Sequence, residues 1–225
     1  MNTIKIFITI AFLLTAFYLS AQVNGKKDSA KLSSSEFMAV EVEAFYPGGG
    51  EAWQKFLEKN LNSSIPVKNM APVGKYVATV LFVVDKDGTL SNIKAETHFG
   101  YGMEDEVIRV VERSGKWTAA TRNGQPLKAL RRQPVTFLID DENFKITTSE
   151  PYTLFVNADN EISVSARKIK TADLSINVQG GKSVRLSDGV FNVRVSKPGR
   201  VTIEIVNNKK DDKEIGVASF EVKAN

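Results

Sequence analysis

The sequence predicts an α+β domain followed by an all-β, immunoglobulin-like sandwich, and three observations carry that expectation. Between residues 43 and 145 two helical stripes alternate with three runs rich in β-branched and aromatic residues. Beyond Glu150 no helical stripe recurs, and apolar residues return at every second position instead. Turn residues divide that second region at short, regular intervals, the spacing of a sandwich. The chain has 225 residues, 42% of them hydrophobic and 25% charged, the make-up of a folded protein of one or two domains.

The first residues, MNTIKIFITIAFLLTAFYLSAQ, place Lys5 before an apolar run from Ile6 to Tyr18, with Ser20 and Ala21 after it. That is the layout of a signal peptide spanning 1–21, cleaved before Gln22. The apolar run is shorter than the roughly 20 residues a spanning helix needs; retention as an inner-membrane anchor is the alternative. Residues 22–42, as in KKDSAKLSSSE, show no apolar period and are expected to form a flexible linker.

In EAWQKFLEKNL, Trp53, Phe56, Leu57 and Leu61 fall on one face of a helix, and Gly48 to Gly50 before it suit a chain reversal. Tyr76 to Val84 is a strand by its β-branched content. Asp85, Lys86, Asp87 and Gly88 supply a hairpin turn, with TLSNIKAETH as the return strand. GMEDEVIRVVERSG spaces Met103, Val107, Val110 and Val111 as a helix. Glu104, Asp105 and Glu106 lie in its first turn, where they favour the helix dipole, and Gly115 lies beyond its end. After Trp117 and the turn Asn123, Gly124, the run RRQPVTFLID is the third strand, with Val135, Phe137 and Ile139 on one face. Pro134 lacks the N–H that a central ladder position uses, so this strand is expected at a sheet edge.

The second domain, expected over 148–225, shows about seven short alternations: Tyr152/Leu154/Val156, Ile162/Val164, Leu174/Ile176/Val178, Val184/Leu186, Phe191/Val193/Val195, Val201/Ile203/Ile205 and Phe220/Val222. Asp159 with Asn160, Gly180 with Gly181, Asp188 with Gly189, and Pro198 with Gly199 supply turns between them.

Chemistry is narrowed by what is missing. With no cysteine and a single histidine, His98, disulfides, thiol catalysis, a Cys/His zinc site and a His-based triad within one chain are excluded. The net charge of +4 is spread along the chain without a dense basic stripe, which argues against nucleic acid. Asp85, Asp87, Thr89, Ser91 and Glu96 match positions 1, 3, 5, 7 and 12 of a calcium loop, but Leu90 stands where its glycine is needed. Ser165 and Lys168 have S-x-x-K spacing without the partner motifs of an acyl enzyme. Nucleophile, base and orienter cannot be assembled from these residues, so no enzyme and no cofactor is expected.

The stretches FYPGGGEAWQKFLEKNL, FVVDKDGTLSNI, MEDEVIRVV, Trp117, NGQPL and PVTFLI, in this order between Phe45 and Asp140, resemble the C-terminal domain of TonB-type energy transducers in its Bacteroidetes form. PYTLFVN, EISVSA, GVFNVRVSKPGRVTIEIVN and GVASFEVK resemble the carboxyl-terminal sandwich repeats of GldM-type gliding and secretion proteins. The first resemblance implies a small domain of two helices on a three-stranded antiparallel sheet that captures an extended peptide of an outer-membrane receptor as an added strand. The residues implied in that contact are Pro134, Val135, Thr136, Phe137 and Leu138, with Thr136 and Leu138 alternating with the core residues. The expected setting is the periplasm or cell envelope, the expected partner an outer-membrane receptor or another envelope protein. The alternative is a structural subunit of an envelope assembly that docks through its sandwich.

Overall fold

The computed structural model describes residues 42–209 and 213–224, so the expected signal peptide and all of the linker except Val42 lie outside the described residues. Helix α1 (Gly49–Asn60) and the single-turn α2 (Ile65–Lys68) precede strand β1 (Val73–Val84) and its hairpin partner β2 (Leu90–Ala95). Helix α3 (Met103–Glu112), the short hairpin β3 (Ala120–Arg122) and β4 (Gln125–Leu127), and the long strand β5 (Ala129–Ile139) complete the first unit. The second unit holds β6 (Phe144–Thr147), β7 (Thr153–Phe155), β8 (Asn160–Ala166), β9 (Leu174–Val178), β10 (Gly181–Ser187), β11 (Val190–Val195), β12 (Gly199–Asn207) and β13 (Lys213–Lys223).

Strand β1 is the axis of the first unit. It pairs antiparallel with β2 on one side and with β5 on the other, from Gly74↔Ile139 to Val84↔Ala129. Its even residues Tyr76, Ala78, Val80, Phe82 and Val84 face the helices and are buried with Val135 and Phe137 of β5. Helix α1 adds Trp53 and Leu57, and α3 adds Met103, Val107, Val110 and Val111, so both expected stripes are core. Trp117 closes this core: its ring centroid lies 5.0 Å from that of Trp53 and 5.1 Å from that of Phe82. Gly88, at φ 82°, brings the β1–β2 turn against the Trp117 backbone, where a Cβ would stand 2.1 Å from the Trp117 carbonyl oxygen. Only glycine combines that conformation with that approach.

The acidic first turn of α3 does more than favour the dipole. Glu104 and Glu106 are 6% and 3% exposed. Glu104 accepts the Phe99 N–H at 2.8 Å and the Thr97 hydroxyl at 3.1 Å. Glu106 accepts the Asn62 N–H at 2.6 Å and two hydrogen bonds from Arg109, which also reaches the Asn60 carbonyl. These carboxylates tie the loops around α3 to the helix.

The sandwich stacks the sheet β10-β11-β8-β6 on β9-β12-β13 with β7. Its core holds Leu154, Ile162, Leu174, Phe191, Val193, Ile203, Ile205 and Phe220. Eight strands contribute rather than seven. The additional one, β6, starts at Phe144, inside the span expected for the first domain, because Phe144 and Ile146 are buried in the sandwich core and pair with β8. Asn160, expected in a turn, opens β8: its side chain accepts the Phe155 N–H and donates to the Phe155 and Val193 carbonyls. Val184 and Leu186, expected to alternate into the core, are 64% and 56% exposed. The pleat explains this: Arg185 pairs with buried Phe191, so it takes the inner face of β10 and sends both neighbours outward.

The expected three-stranded sheet is part of a larger one. Val73 and Gly74 pair in parallel with Ala218 and Ser219 of β13, joining both units in one sheet of seven strands, and Val73 is buried in the sandwich core. Gly74 permits this, since a Cβ there would stand 2.6 Å from the Ser219 carbonyl oxygen. Two side-chain contacts reinforce the junction. The Tyr152 hydroxyl donates to Asp140 at 2.8 Å, and burial together with that carboxylate raises the Tyr152 pKa. Arg200, at the start of β12, donates to the Ser219 hydroxyl and to the Lys75 carbonyl, both at 2.8 Å.

Candidate functional site

The five residues singled out in the sequence lie on β5, which pairs with β1 alone among the described residues and therefore forms an edge. Which of its peptide groups face outward follows from one residue across the ladder. Thr79 of β1 donates its N–H to the Thr97 hydroxyl at 2.9 Å and accepts the Glu96 N–H at 2.8 Å. Both groups thus point toward the β2 side. Within an antiparallel ladder the N–H and C=O of one residue point to the same side, so Thr79↔Pro134 is a pair without ladder hydrogen bonds. The backbone of Pro134 faces away from β1, and so, by the period of two, do the N–H and C=O of Arg132, Thr136 and Leu138. No described residue bonds those N–H groups or carbonyls.

This geometry divides the five. Val135 and Phe137 are fully buried, their side chains in the helix-covered core and their N–H groups directed at β1, so neither presents anything at the edge. Thr136 and Leu138 are half-buried on the opposite face with peptide groups outward. Pro134 is outward but capped: it has no N–H, and its carbonyl accepts the Gln133 side-chain amide at 2.8 Å. Gln133 is held in turn by the Trp53 indole N–H, which donates to its Oε1 at 2.7 Å. Helix α1 thereby reaches through one side chain to the middle of the edge. Proline drew attention to this strand from sequence alone, whereas nothing in the pattern marks Gln133.

Beside Leu130 to Pro134 opens a cleft of about 1520 Å³. One wall is the segment Val42 to Tyr46, bridged antiparallel to Thr118 and Thr121, with Trp53 behind it. The other wall is the face of β1 that the helices leave open, with Lys75, Val77 and Thr79, and beyond it the sandwich residues Arg200, Thr202 and Ser219. Two cations at the rim are paired: Arg131 with Glu43 at 3.0 Å, and Arg132 with Glu96. His98 is exposed at this cleft and makes none of the described hydrogen bonds or ion pairs.

Arg200 is the residue that the sequence reading missed. Its guanidinium lies 4.3 Å from the ring centroid of Tyr76 and 4.8 Å from that of Phe99, stacked across the junction of the two units. Burial lowers its pKa and raises that of Tyr76 beneath it. Its place after Pro198 and Gly199 reads as an ordinary turn, and only the strand shared by the two units brings it to the cleft.

The carboxylates that matched a calcium loop are engaged in the turn itself. Asp85 accepts the Ser91 hydroxyl at 2.7 Å and pairs with Lys128 at 3.0 Å. The Thr89 hydroxyl and N–H hold Asp87 down to about 2, with Lys116 nearby. Among the described residues no group of three His, Asp or Glu side chains could hold a metal ion. Ser165 of β8 pairs with Lys145 of β6, away from the cleft.

Residues 77–139 match the family described as the Gram-negative bacterial TonB protein C-terminal, and residues 143–223 match the GldM third domain, in the order read from the sequence. No curated protein and no solved structure matches the chain. Both families are structural or interaction domains rather than catalytic ones, and together they suggest an envelope-associated protein-interaction module. No helix among the described residues is long and apolar enough to cross a membrane.

Proposed function

We propose that the chain is a non-enzymatic binding module on the periplasmic side of the envelope that captures an extended peptide of an outer-membrane receptor or transporter along the outer edge of β5. One observation carries this: the outward N–H and C=O groups of Arg132, Thr136 and Leu138 have no partner among the described residues and lie along an edge beside a large cleft. An added strand would satisfy them with main-chain hydrogen bonds, and the cleft would take alternate side chains of the visitor. The match of residues 77–139 to the TonB C-terminal family supports the same mode.

Proline substitution tests it. The Thr136 N–H faces outward, so Thr136→Pro should leave the melting transition nearly intact while weakening capture of short, extended receptor peptides, measured by fluorescence anisotropy, by up to about tenfold. The Val135 N–H faces β1, so Val135→Pro should remove a ladder hydrogen bond and unfold the first unit. Peptide binding by folded Thr136→Pro protein, at the parent's affinity, refutes strand addition at this edge. That outcome favours docking through the sandwich, where β10 presents an unpaired edge with Val184 and Leu186 exposed.

A further inference from the structure

We infer that the sandwich joins two copies of this chain: β10 of one copy adds antiparallel to β10 of the other about a two-fold axis at Val184, so that the four-stranded sheets of both copies continue into one. This is independent of strand addition at β5, whose outer edge stays free on the first unit of each copy.

Strand β10 pairs with β11 alone among the described residues, and every residue from Lys182 to Ser187 is exposed. Its outward peptide groups follow from β11. The Gly189 carbonyl accepts the Val164 N–H at 2.7 Å, and the Val195 carbonyl accepts the Asn157 N–H at 2.9 Å, so the odd-numbered residues of β11 point to the β8 side. By the period of two, Asn192 and Arg194 point to β10, and Asn192↔Val184 and Arg194↔Lys182 are the hydrogen-bonded pairs of that ladder. Ser183 and Arg185 therefore turn their N–H and C=O away from β11, where none of the described hydrogen bonds uses them. Proteins blunt such an edge with proline, charge or a cover. Strand β5 has Pro134, and on β9 the Arg185 guanidinium occupies the Leu174 carbonyl. Strand β10 has no proline, and beside Lys182 its outer face carries Val184 and Leu186, 64% and 56% exposed.

The occupant follows from symmetry. Ser183 and Arg185 stand on either side of Val184, so a two-fold at Val184 sets Ser183 of each copy against Arg185 of the other as hydrogen-bonded pairs and leaves none of these groups unpaired. Val184 then meets its own counterpart in the closer, non-hydrogen-bonded pair, and Leu186 lies beside the alkyl stem of Lys182. Centring the contact on Arg185 would oppose two arginines, and centring it on Ser183 would set Val184 against Lys182. The ends match as well. Strand β10 is bounded by the bulge between Arg185 and Ser187 and by Gly180 and Gly181, and the two-fold puts the bulge of each copy beside the glycines of the other, where no side chain blocks it.

The test uses the chain as expressed. Sedimentation velocity should show monomer passing to dimer between about 1 and 100 μM, the affinity of a short edge-to-edge contact. Ser183→Pro removes an outward donor from each copy and should weaken the dimer about tenfold or more while leaving the melt nearly unchanged. Val184→Glu, at an exposed position, puts two carboxylates in the close pair and should weaken the dimer too, which keeps the inference falsifiable if the proline variant melts early. Crosslinking reads the register, because the parent has no cysteine. With oxidised glutathione as the oxidant, Val184→Cys should give a disulfide dimer, since the Cα atoms of such a pair lie about 4.5 Å apart, within the span of a disulfide. Lys182→Cys and Leu186→Cys proteins should crosslink when mixed and not alone. A parent that stays monomeric across that range overturns the inference and leaves the β10 edge to a strand of another protein. A dimer that resists both Ser183→Pro and Val184→Glu, or is lost with Thr136→Pro instead, lies elsewhere on the chain and overturns it as well. A dimer lost with Ser183→Pro in which Val184→Cys stays uncrosslinked overturns the two-fold at Val184.

Discussion

Gly74→Ala is the sharpest probe of the sheet shared by the two units. The backbone of Gly74 is not in the left-handed region, so an added methyl acts by contact alone. That methyl would stand 2.6 Å from the Ser219 carbonyl oxygen, a separation that real Cβ atoms essentially never show below 3.0 Å, so something has to give by at least 0.4 Å. The oxygen is backbone, on a strand held by β12 along nine residue pairs, and it has no side chain to swing away. The yielding partner is therefore β1, whose contact with β13 is only the two pairs Val73↔Ala218 and Gly74↔Ser219. Opening it also draws Val73 out of the sandwich core. Overpacking of this kind costs about 1–3 kcal/mol. The loss of glycine freedom in the unfolded chain returns about 0.4–1 kcal/mol. The net, about 1–2 kcal/mol, corresponds to a fall in Tm of roughly 2–8 °C for a protein of this size. Differential scanning calorimetry measures it, and amide exchange should show faster exchange confined to residues near 73–75 and 217–220. A Tm equal to or above the parent's, with unchanged exchange, refutes the close crossing of β1 and β13.

Two further outcomes are expected. A sandwich fragment starting at residue 142 should melt cooperatively and at higher temperature than one starting at 148, because the shorter piece loses Phe144 and Ile146; equal melts in circular dichroism would place β6 outside the core. Glu106→Gln should destabilise at neutral pH by about 1.5–3 kcal/mol, the range for hydrogen bonds to a charged group. Burial alone would raise the Glu106 pKa, but the hydrogen bonds from Arg109 and the Asn62 N–H outweigh it and hold the group below its ordinary value. A depressed carboxylate stabilises the fold above its unfolded pKa of about 4.3 and loses that contribution as pH falls through the lower, folded one. The gap between parent and Glu106→Gln should therefore be full at pH 7 and narrow below about pH 4, and chemical melts showing a gap independent of pH would contradict this.

The parts of the fold legible in the sequence were those that follow from local periodicity. Trp53 and Leu57, or Met103, Val107 and Val110, lie on one helical stripe whatever surrounds them, and both stripes are core. Pro134 marked an edge because a missing N–H has few other places to go. What was hidden depends on partners far along the chain. Val184 and Leu186 have the same alternation as Phe191 and Val193, yet β10 ends its sheet and turns Arg185 inward, a choice that no local pattern encodes. Glu104 and Glu106 fit a dipole rule, and only the return of the chain from Asn62 and Thr97 makes them anchors. Arg200 reads as part of a Pro-Gly turn, and its role exists only because residues 125 positions apart, Lys75 and Arg200, meet.

The capped centre of the edge bears on how the proposed capture would be selective. An exposed, continuous edge invites any strand, and proteins blunt such edges with proline and by covering backbone groups. Here both devices act at one position: Pro134 offers no donor, and Gln133, steadied by Trp53, occupies its carbonyl. In the proposed mode a visiting peptide would therefore bond on either side of Pro134, at Arg132 and at Thr136 with Leu138, but not through the middle. A ladder interrupted in this way supplies fewer main-chain hydrogen bonds, each worth only about 0.5–1.5 kcal/mol net. Affinity must then come in greater part from side chains in the cleft, and main-chain pairing alone leaves unselected strands bound weakly. Under the proposed strand addition, the blunted edge would set the direction of the peptide and the large cleft beside it would decide which peptide stays.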